Sequence, residues 1–464
     1  MSAKQATAVE PMSGVLFIIV AFIVAISVLI AVHEFGHFWV AKKLGVKVLR
    51  YSIGFGKPIW QRRFGPDQTE YVIAALPLGG YVKMLDEREG NVAPNEVHRA
   101  FNRQPVKARI AIVAAGPAFN FLFAIVAYWA MFGIGIEDIR PLIGQVYADS
   151  PASRAGLERD DEILAVAGEP TPINSMASER LILAALDKVS VPLQIRKASG
   201  HEQEVILDLS GFDDEAEPGE FFRQMGMRMW FPAVPVVIGE VSKDSPALQA
   251  GLQAGDRILQ IDETVMKDWR DLVSYVQDRP GQELSLRIER NGQRQTILLR
   301  PEAVTVGDKQ IGRLGIVHEQ IVVPDDIRVH YQYPFFSALG EGVTATLDKT
   351  VMSLKLFWKL LSGDISVKNI SGPIGIAQSA GASASAGLPW FLGFMAFVSI
   401  NLGILNLLPI PILDGGHLLY YFIEAIKGSP VSDAVQEIGL RIGMALLLTL
   451  MILAFYNDLL RIFN

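Results

Sequence analysis

From Gly14 to Val32 the chain reads GVLFIIVAFIVAISVLIAV without a charge, and the residues that follow are His33-Glu34-Phe35-Gly36-His37. A helix needs about 20 mainly apolar residues to cross a bilayer, so this run constrains the fold more than any other feature. A secretory signal core is shorter, roughly 7–15 residues, and ends at a small-residue cleavage site. Here the run passes straight into two histidines and a glutamate, which predicts a retained membrane helix with ionisable groups at its far end. Ionisable groups are costly inside a bilayer and are seldom kept there without a task.

Three more stretches have the length and polarity of membrane helices: Ile110 to Ile136, Gly387 to Leu413, and the shorter Ile442 to Tyr456, beside Gly14 to about Val40 for the first. Half of all residues are hydrophobic and 20% are charged, a balance that suits a membrane protein. Lys42, Lys43, Lys47, Arg50, Lys57, Arg62 and Arg63 follow the first run with no acid among them, whereas the N-terminal tail carries only Lys4 and Glu10. The positive-inside rule therefore puts the far end of the first helix in the cytoplasm and both termini outside. The first and third helices then both end on the inner side, so motifs at opposite ends of the chain meet at one depth.

The expected organisation is a tail and first helix over 1–41, a β-rich, membrane-associated cytoplasmic-side region over 42–106, and a second helix over 107–136. An extracytoplasmic pair of domains follows over 137–228 and 229–323, then an interfacial amphipathic helix and linker over 324–386. The third helix covers 387–414, a cytoplasmic-side segment 415–438, and the fourth helix with its tail 439–464. The paired domains are read from a repeat: GQVYADSPASRAGLERDDEIL from Gly144 aligns without a gap on GEVSKDSPALQAGLQAGDRIL from Gly239, an offset of 95. Each copy reads as strand, Ser-Pro turn, short helix ended by Gly, turn and strand, then an amphipathic helix and alternating strands with turn residues such as Asn291-Gly292. The pattern resembles PDZ domains of bacterial envelope proteases. The first copy has Asp160 where the second has Gly255, and Asp tolerates a left-handed turn better than most residues.

Composition narrows the chemistry. The net charge is −7 with no long basic block, which excludes a nucleic-acid footprint. There is no cysteine, so any transition metal is held by His and carboxylates. On a helix His33 and His37 project from one face and can share a metal, leaving Glu34 beside it to take a proton from water. Imidazole with a carboxylate suits Zn²⁺, and a catalytic site has three protein ligands and one open corner. Of the seven histidines, His98 lies in a polar inner loop and His201, His318 and His330 lie outside. Two candidates for the third ligand remain in NLLPIPILDGGHLL: Asp414, just after Pro409 and Pro411 interrupt the helix, and His417. Asp before Gly is also a common helix N-cap. Asn406, in the same broken segment, is the candidate donor for an oxyanion, with a helix-to-helix hydrogen bond as its structural alternative.

His33-Glu34-x-x-His37, Asn406-x-x-Pro409-x-Pro411-x-Leu413-Asp414-Gly415 and the two PDZ-like repeats together resemble the site-2 protease family of intramembrane zinc metalloproteases. Gly116-Pro117-x-x-Asn120 and Ser371-Gly372-Pro373 match its pattern too. The resemblance implies a polytopic α-helical membrane protein with four transmembrane helices, a membrane-associated β-hairpin or sheet, and two tandem extracytoplasmic PDZ-like α+β domains. It makes Asp414 the third Zn²⁺ ligand beside His33 and His37, and the catalytic candidates beside them are Glu34 and Asn406. It implies a bacterial inner-membrane enzyme of a stress response, with a single-span partner such as an anti-sigma factor that another protease has already trimmed. A helical substrate hides its peptide groups and must unwind, and an exposed strand edge around Tyr51 to Gly56 would re-satisfy them. The substrate-contacting residues expected on this reading are Gly54, Phe55, Gly56, Asn406, Pro409 and Pro411. The competing class is a membrane scaffold with a structural metal, which would have no use for a base at Glu34.

Overall fold

The computed structural model describes residues 11–213, 220–232, 234–306, 309–319, 323–363, 367 and 370–463. Lys4 and Glu10, on which part of the orientation argument stands, lie outside the described residues. The chain divides into two compact units, one formed by residues up to Glu137 together with His330–Asp458, the other by Asp138–Val329 together with the residues from Leu459 on.

The first unit is built on helix α1 (Pro11–Lys43), strands β1 (Val48–Phe64) and β2 (Thr69–Met84), and helices α2 (Val106–Ile134), α3 (Phe335–Ser362), α4 (Pro373–Ser385), α5 (Leu388–Leu407), α6 (Asp414–Lys427) and α7 (Asp433–Phe463). Among the described residues, α1, α2, α5 and α7 are long and apolar enough to span a membrane. The protein is a polytopic α-helical membrane protein. In α1 one row of residues four apart is buried, Ala21, Ala25, Leu29, His33, His37 and Ala41, while Leu16, Ile19, Val20, Ile23 and Val24 on the other faces are exposed. With lipid as apolar as the side chains, contact between such helices depends on close packing. The packing row of α1 is the row that carries both histidines.

Small residues allow the approach. A β-carbon on Gly36 would fall 2.3 Å from the carbonyl oxygen of Ala115 in α2. Along α5, Gly393 meets Met131 and Gly403 meets Phe121, so α2 is clasped from two sides. Helix α3 packs lengthwise on α2 through Ala338, Gly342 and Thr346, with Gly342 against the backbone of Ile125 and Trp129. This is the amphipathic helix expected within 324–386.

Helix boundaries differ from the sequence reading at the prolines and at the C-terminus. α5 ends at Leu407, not near Leu413, because Pro409 lacks an N–H and forces Leu408 into an extended conformation, ψ 143°. α7 begins at Asp433, well before the expected start of the fourth span, since its polar first turns still satisfy their backbone within the helix.

β1 and β2 bend and pair twice, giving four short segments: 80–84, 48–53, 69–74 and 58–64 in that order. Tyr51 is paired with Val82 on one side and Tyr71 on the other. The expectation of an open edge at Tyr51 to Gly56 is therefore corrected: residues 51–53 are interior, and the edges are 58–64 and 80–84. Gly54 and Gly56, at φ +92° and +89°, form the crest of the bend. Phe38, Ala41, Val46, Val48 and Ile112 make a common core with Tyr51, Tyr71, Val82 and Met84, seating the sheet on α1 and α2.

In the second unit the two copies have the same strand order: 169–170, 162–166, 190–196, 202–208 in the first, and 264–265, 257–261, 284–290, 293–299 in the second. Ser150 and Ser245 cap equivalent one-turn helices, accepting from the backbone of Ser153 and Leu248. Asp160 occupies the left-handed region at φ +67°, as Gly255 does at +89°. Buried Asp161 and Asp256 close the same turn by accepting from the backbone N–H of Glu158 and Gln253, and each meets a cation, Lys197 or Arg290. These are two PDZ-like α+β domains.

Candidate metal centre

His33 and His37 reach the site because they lie one turn apart on the packing row of α1. Asp414 reaches it by a fold-back. After the Pro-broken residues 408–413, the chain turns so tightly that a β-carbon on Gly415 would fall 2.1 Å from the carbonyl of Leu408, and one on Gly416 2.4 Å from that of Ile410. The Asp-Gly-Gly sequence thus fits beneath the broken segment because neither glycine carries a β-carbon. Leu413, not Asp414, is the N-cap of α6, and the Asp414 carboxylate makes no capping bond.

The three ligand atoms form a nearly equilateral triangle. Nε2 of His33 lies 3.2 Å from Oδ2 of Asp414, Nε2 of His37 lies 3.4 Å from the same oxygen, and the two nitrogens are 3.3 Å apart. Tetrahedral Zn²⁺ with bonds of about 2.0–2.1 Å separates its ligand atoms by about 3.3 Å. Oδ2 of Asp414 is buried and has no hydrogen-bond donor, as a metal-directed carboxylate oxygen would. These residues fit a zinc ion, and they are the group of His and carboxylate side chains among the described residues able to hold one. His417, one turn along α6, is not part of it.

Glu34 is half-buried and within electrostatic reach of His33, His37 and Asp414. On its other side is the sheet edge: a β-carbon on Gly80 would meet Cγ of Glu34 at 2.9 Å. Tyr51 holds the sheet there by donating its hydroxyl to the carbonyl of Ala31 at 2.8 Å. Asn406 sits in the last turn of α5, and its amide makes no hydrogen bond among the described residues, so the helix-to-helix bond is not formed. Pro409 lies in the break itself, and Pro411 packs against Gly439 and Gly443 of α7. Gly54, Phe55 and Gly56 are at the crest of β1, where the exposed Phe55 ring stacks on Tyr81, 6.2 Å between centroids.

Several residues support the site, among them Asn120 of the Gly116-Pro117-x-x-Asn120 match. The carbonyl of Ile112 accepts from Nδ1 of His37 at 2.9 Å. Asn120 meets Nδ1 of His33 at 3.1 Å. Arg109 of α2 forms a bidentate pair with Glu424 of α6, at 2.6 and 3.1 Å, and lies over the ring of Tyr421. The motif singles out Asn120 without its partner, and the roles of Ile112 and Arg109 follow from a helix register relative to its neighbours that a single sequence does not contain.

Fold and site define a class, a polytopic membrane metallopeptidase with a candidate metal-binding triangle of His and Asp side chains from two of its helices. The chain belongs to peptidase family M50, the site-2 protease family, which it matches over residues 21–450. It is similar to the regulator of sigma-E protease RseP of Salmonella typhimurium, 44% identical over 453 residues that cover 97% of this chain and 100% of that protein. RseP of Escherichia coli is 44% identical over 451 residues, with the same coverage of 97% and 100%. A Vibrio cholerae protein named as a zinc metalloprotease is 42% identical over 456 residues, again covering 97% and 100%. The chain is a zinc metalloprotease of this family.

Proposed function

We propose that the protein is an intramembrane zinc endopeptidase of the bacterial inner membrane that cuts the transmembrane segments of single-span proteins. The observation that carries this reading is the triangle of His33, His37 and Asp414 at the end of a spanning helix, with Glu34 beside it. His33, His37 and Asp414 hold the zinc. Bound zinc supplies Lewis acidity, polarising a peptide carbonyl and acidifying water.

Glu34 takes the proton from water and hands it to the leaving amine. Asn406, with its amide unclaimed, donates to the oxyanion. The unwound substrate adds as a strand at the edge 80–84, which passes beside Glu34. Gly54, Phe55 and Gly56 shape the crest over it, and Pro409 and Pro411 keep the opposing wall free of helix. Water enters from the cytoplasmic side, since lipid-facing irregular backbone is excluded from the hydrocarbon core. The basic residues after α1 support that orientation and put the PDZ-like domains, 137–228 and 229–323, in the periplasm.

The relatives named as regulators of sigma-E protease support a stress-signalling substrate of the anti-sigma type, admitted after another protease has trimmed it. The test co-expresses a tagged, externally trimmed single-span substrate with the wild-type chain or Glu34→Gln. Tag release only with wild type, and zinc retained by the variant, is the expected result. Equal release from both refutes the proposal.

A further inference from the structure

We propose that Asn120 is a positioning residue for the metal centre: its side-chain carbonyl holds His33 in the tautomer whose Nε2 is free to bind a divalent cation. The inference rests on the reading of His33, His37 and Asp414 as ligands.

A neutral imidazole carries one N–H and one lone pair, so binding through Nε2 requires the proton on Nδ1. For His37 the backbone closes the question. Its Nδ1 is 2.9 Å from the carbonyl oxygen of Ile112, which can only accept. At His33 the equivalent place is taken by the amide of Asn120: its Nδ2 stands 3.1 Å from Nδ1, and its Oδ1 is buried without a partner among the described residues. The two arms of an amide have the same shape and a half-turn exchanges them, so hydrogen bonding and not packing decides which one faces His33; neither arm has another partner among the described residues, and an imidazole that binds a cation through Nε2 needs an acceptor at Nδ1, which selects the carbonyl. With the carbonyl toward His33, Nδ1 donates and Nε2 points its lone pair into the triangle with His37 and Asp414. With the NH₂ toward His33, Nε2 carries the proton and cannot bind a cation.

Asn120 is held rigidly for this purpose. It is 0% exposed, on the face of α2 enclosed by α1 and α5. Oγ of Ser399 in α5 donates to the backbone carbonyl of Asn120 at 2.9 Å, and Gly403 lies so close that a β-carbon there would be 3.4 Å from Cβ of Asn120. One arm of the amide faces His33, and the other has no hydrogen-bond partner among the described residues. A half-satisfied polar group in a helix interface weakens packing, and a leucine of similar shape would suit the surroundings better. The contact with His33 is the one interaction of this side chain that an apolar residue could not replace.

The test uses the full chain purified in detergent, with zinc affinity measured by chelator competition and the metal-free melting temperature measured in parallel. Wild type is expected to bind one zinc. Asn120→Leu should bind it about 10–100-fold more weakly while its metal-free melting temperature is equal or higher. Asn120→Asp, whose oxygens still accept from Nδ1, should stay near wild type. Adding Asn120→Leu to His33→Ala should cost no further affinity, because Asn120 acts through His33. Wild-type affinity in Asn120→Leu overturns the proposal, as does equal loss in the Leu and Asp variants, which would make the role one of packing. If the Leu variant does not fold, ¹⁵N spectra of histidine-labelled wild type decide: a proton on Nε2 of metal-free His33 overturns the proposal and one on Nδ1 supports it. Failure of wild type itself to bind zinc removes the metal-site reading, and this inference with it.

Discussion

Gly116 lies directly against His37: a β-carbon at position 116 would be 2.2 Å from Nε2 of His37 and 2.8 Å from Cε1 of His33. The imidazoles rest on the bare backbone of α2, and the triangle with Asp414 exists because nothing projects there.

Gly116→Ala should therefore remove the metal centre while leaving the rest of the bundle folded. We expect zinc affinity to fall on the order of 100-fold and substrate cleavage to be lost, with secondary structure unchanged by circular dichroism. Zinc content after dialysis checks the first statement directly. Near-normal content would mean that α1 and α2 separate more easily than their small-residue contact implies.

Arg109 and Glu424 pin α6, and with it Asp414, onto α2. Both side chains are only 13% exposed, and breaking a buried pair by removing one partner costs about 3–5 kcal/mol. Arg109→Met is expected to loosen α6 and to weaken zinc binding although residue 109 touches no ligand. Hydrogen exchange over 414–427 should rise in the variant. Unchanged exchange with lost zinc would place the fault elsewhere.

Asp458 joins α7 to the start of α4. Its buried carboxylate accepts from the backbone N–H groups of Gly372, Ile374 and Gly375 at 2.8–3.1 Å, while Asn457 donates to the carbonyls of Val367 and Ile370. Asp458→Ala orphans three donors, and the loss of a cap alone costs about 0.5–2 kcal/mol. The expected result is a lower melting temperature in detergent with zinc stoichiometry intact, and Asp458→Asn should recover part of it.

Glu162 gives the first PDZ-like domain an acid limit. The Arg140 guanidinium hydrogen-bonded to it holds its carboxyl below the usual glutamate range, and Arg196 adds to the effect. A depressed folded-state value means the stabilisation is fully present above the ordinary glutamate pKa and is lost as pH falls through the lowered one. Exchange protection over 162–166 should hold at neutral pH and collapse in acid. Glu162→Gln should flatten that dependence. A steeper acid limit in the variant would contradict the assignment.

The sequence carried everything that depends on periodicity and local backbone chemistry. Apolar runs mark spans because a bilayer demands internally bonded backbone, and His33 and His37 share a face because a helix repeats that way. The two domains announce themselves through residues whose turns need them, such as Asp160 and Gly255. The Tyr51–Gly56 edge failed for a complementary reason: both neighbours of Tyr51 come from distant parts of one bent hairpin, and alternation along a strand says nothing about what pairs with it. In the same way spacing favours Asp414 over His417 without excluding His417. The Gly415-Gly416 fold-back under the proline break carries one of them into the triangle and leaves the other outside, and the carbonyl of Ile112 and the amide of Asn120 meet the histidines only because Gly36 and Gly116 let two helices touch. Contacts between remote segments follow from packing volume in three dimensions, which no single stretch of chain encodes.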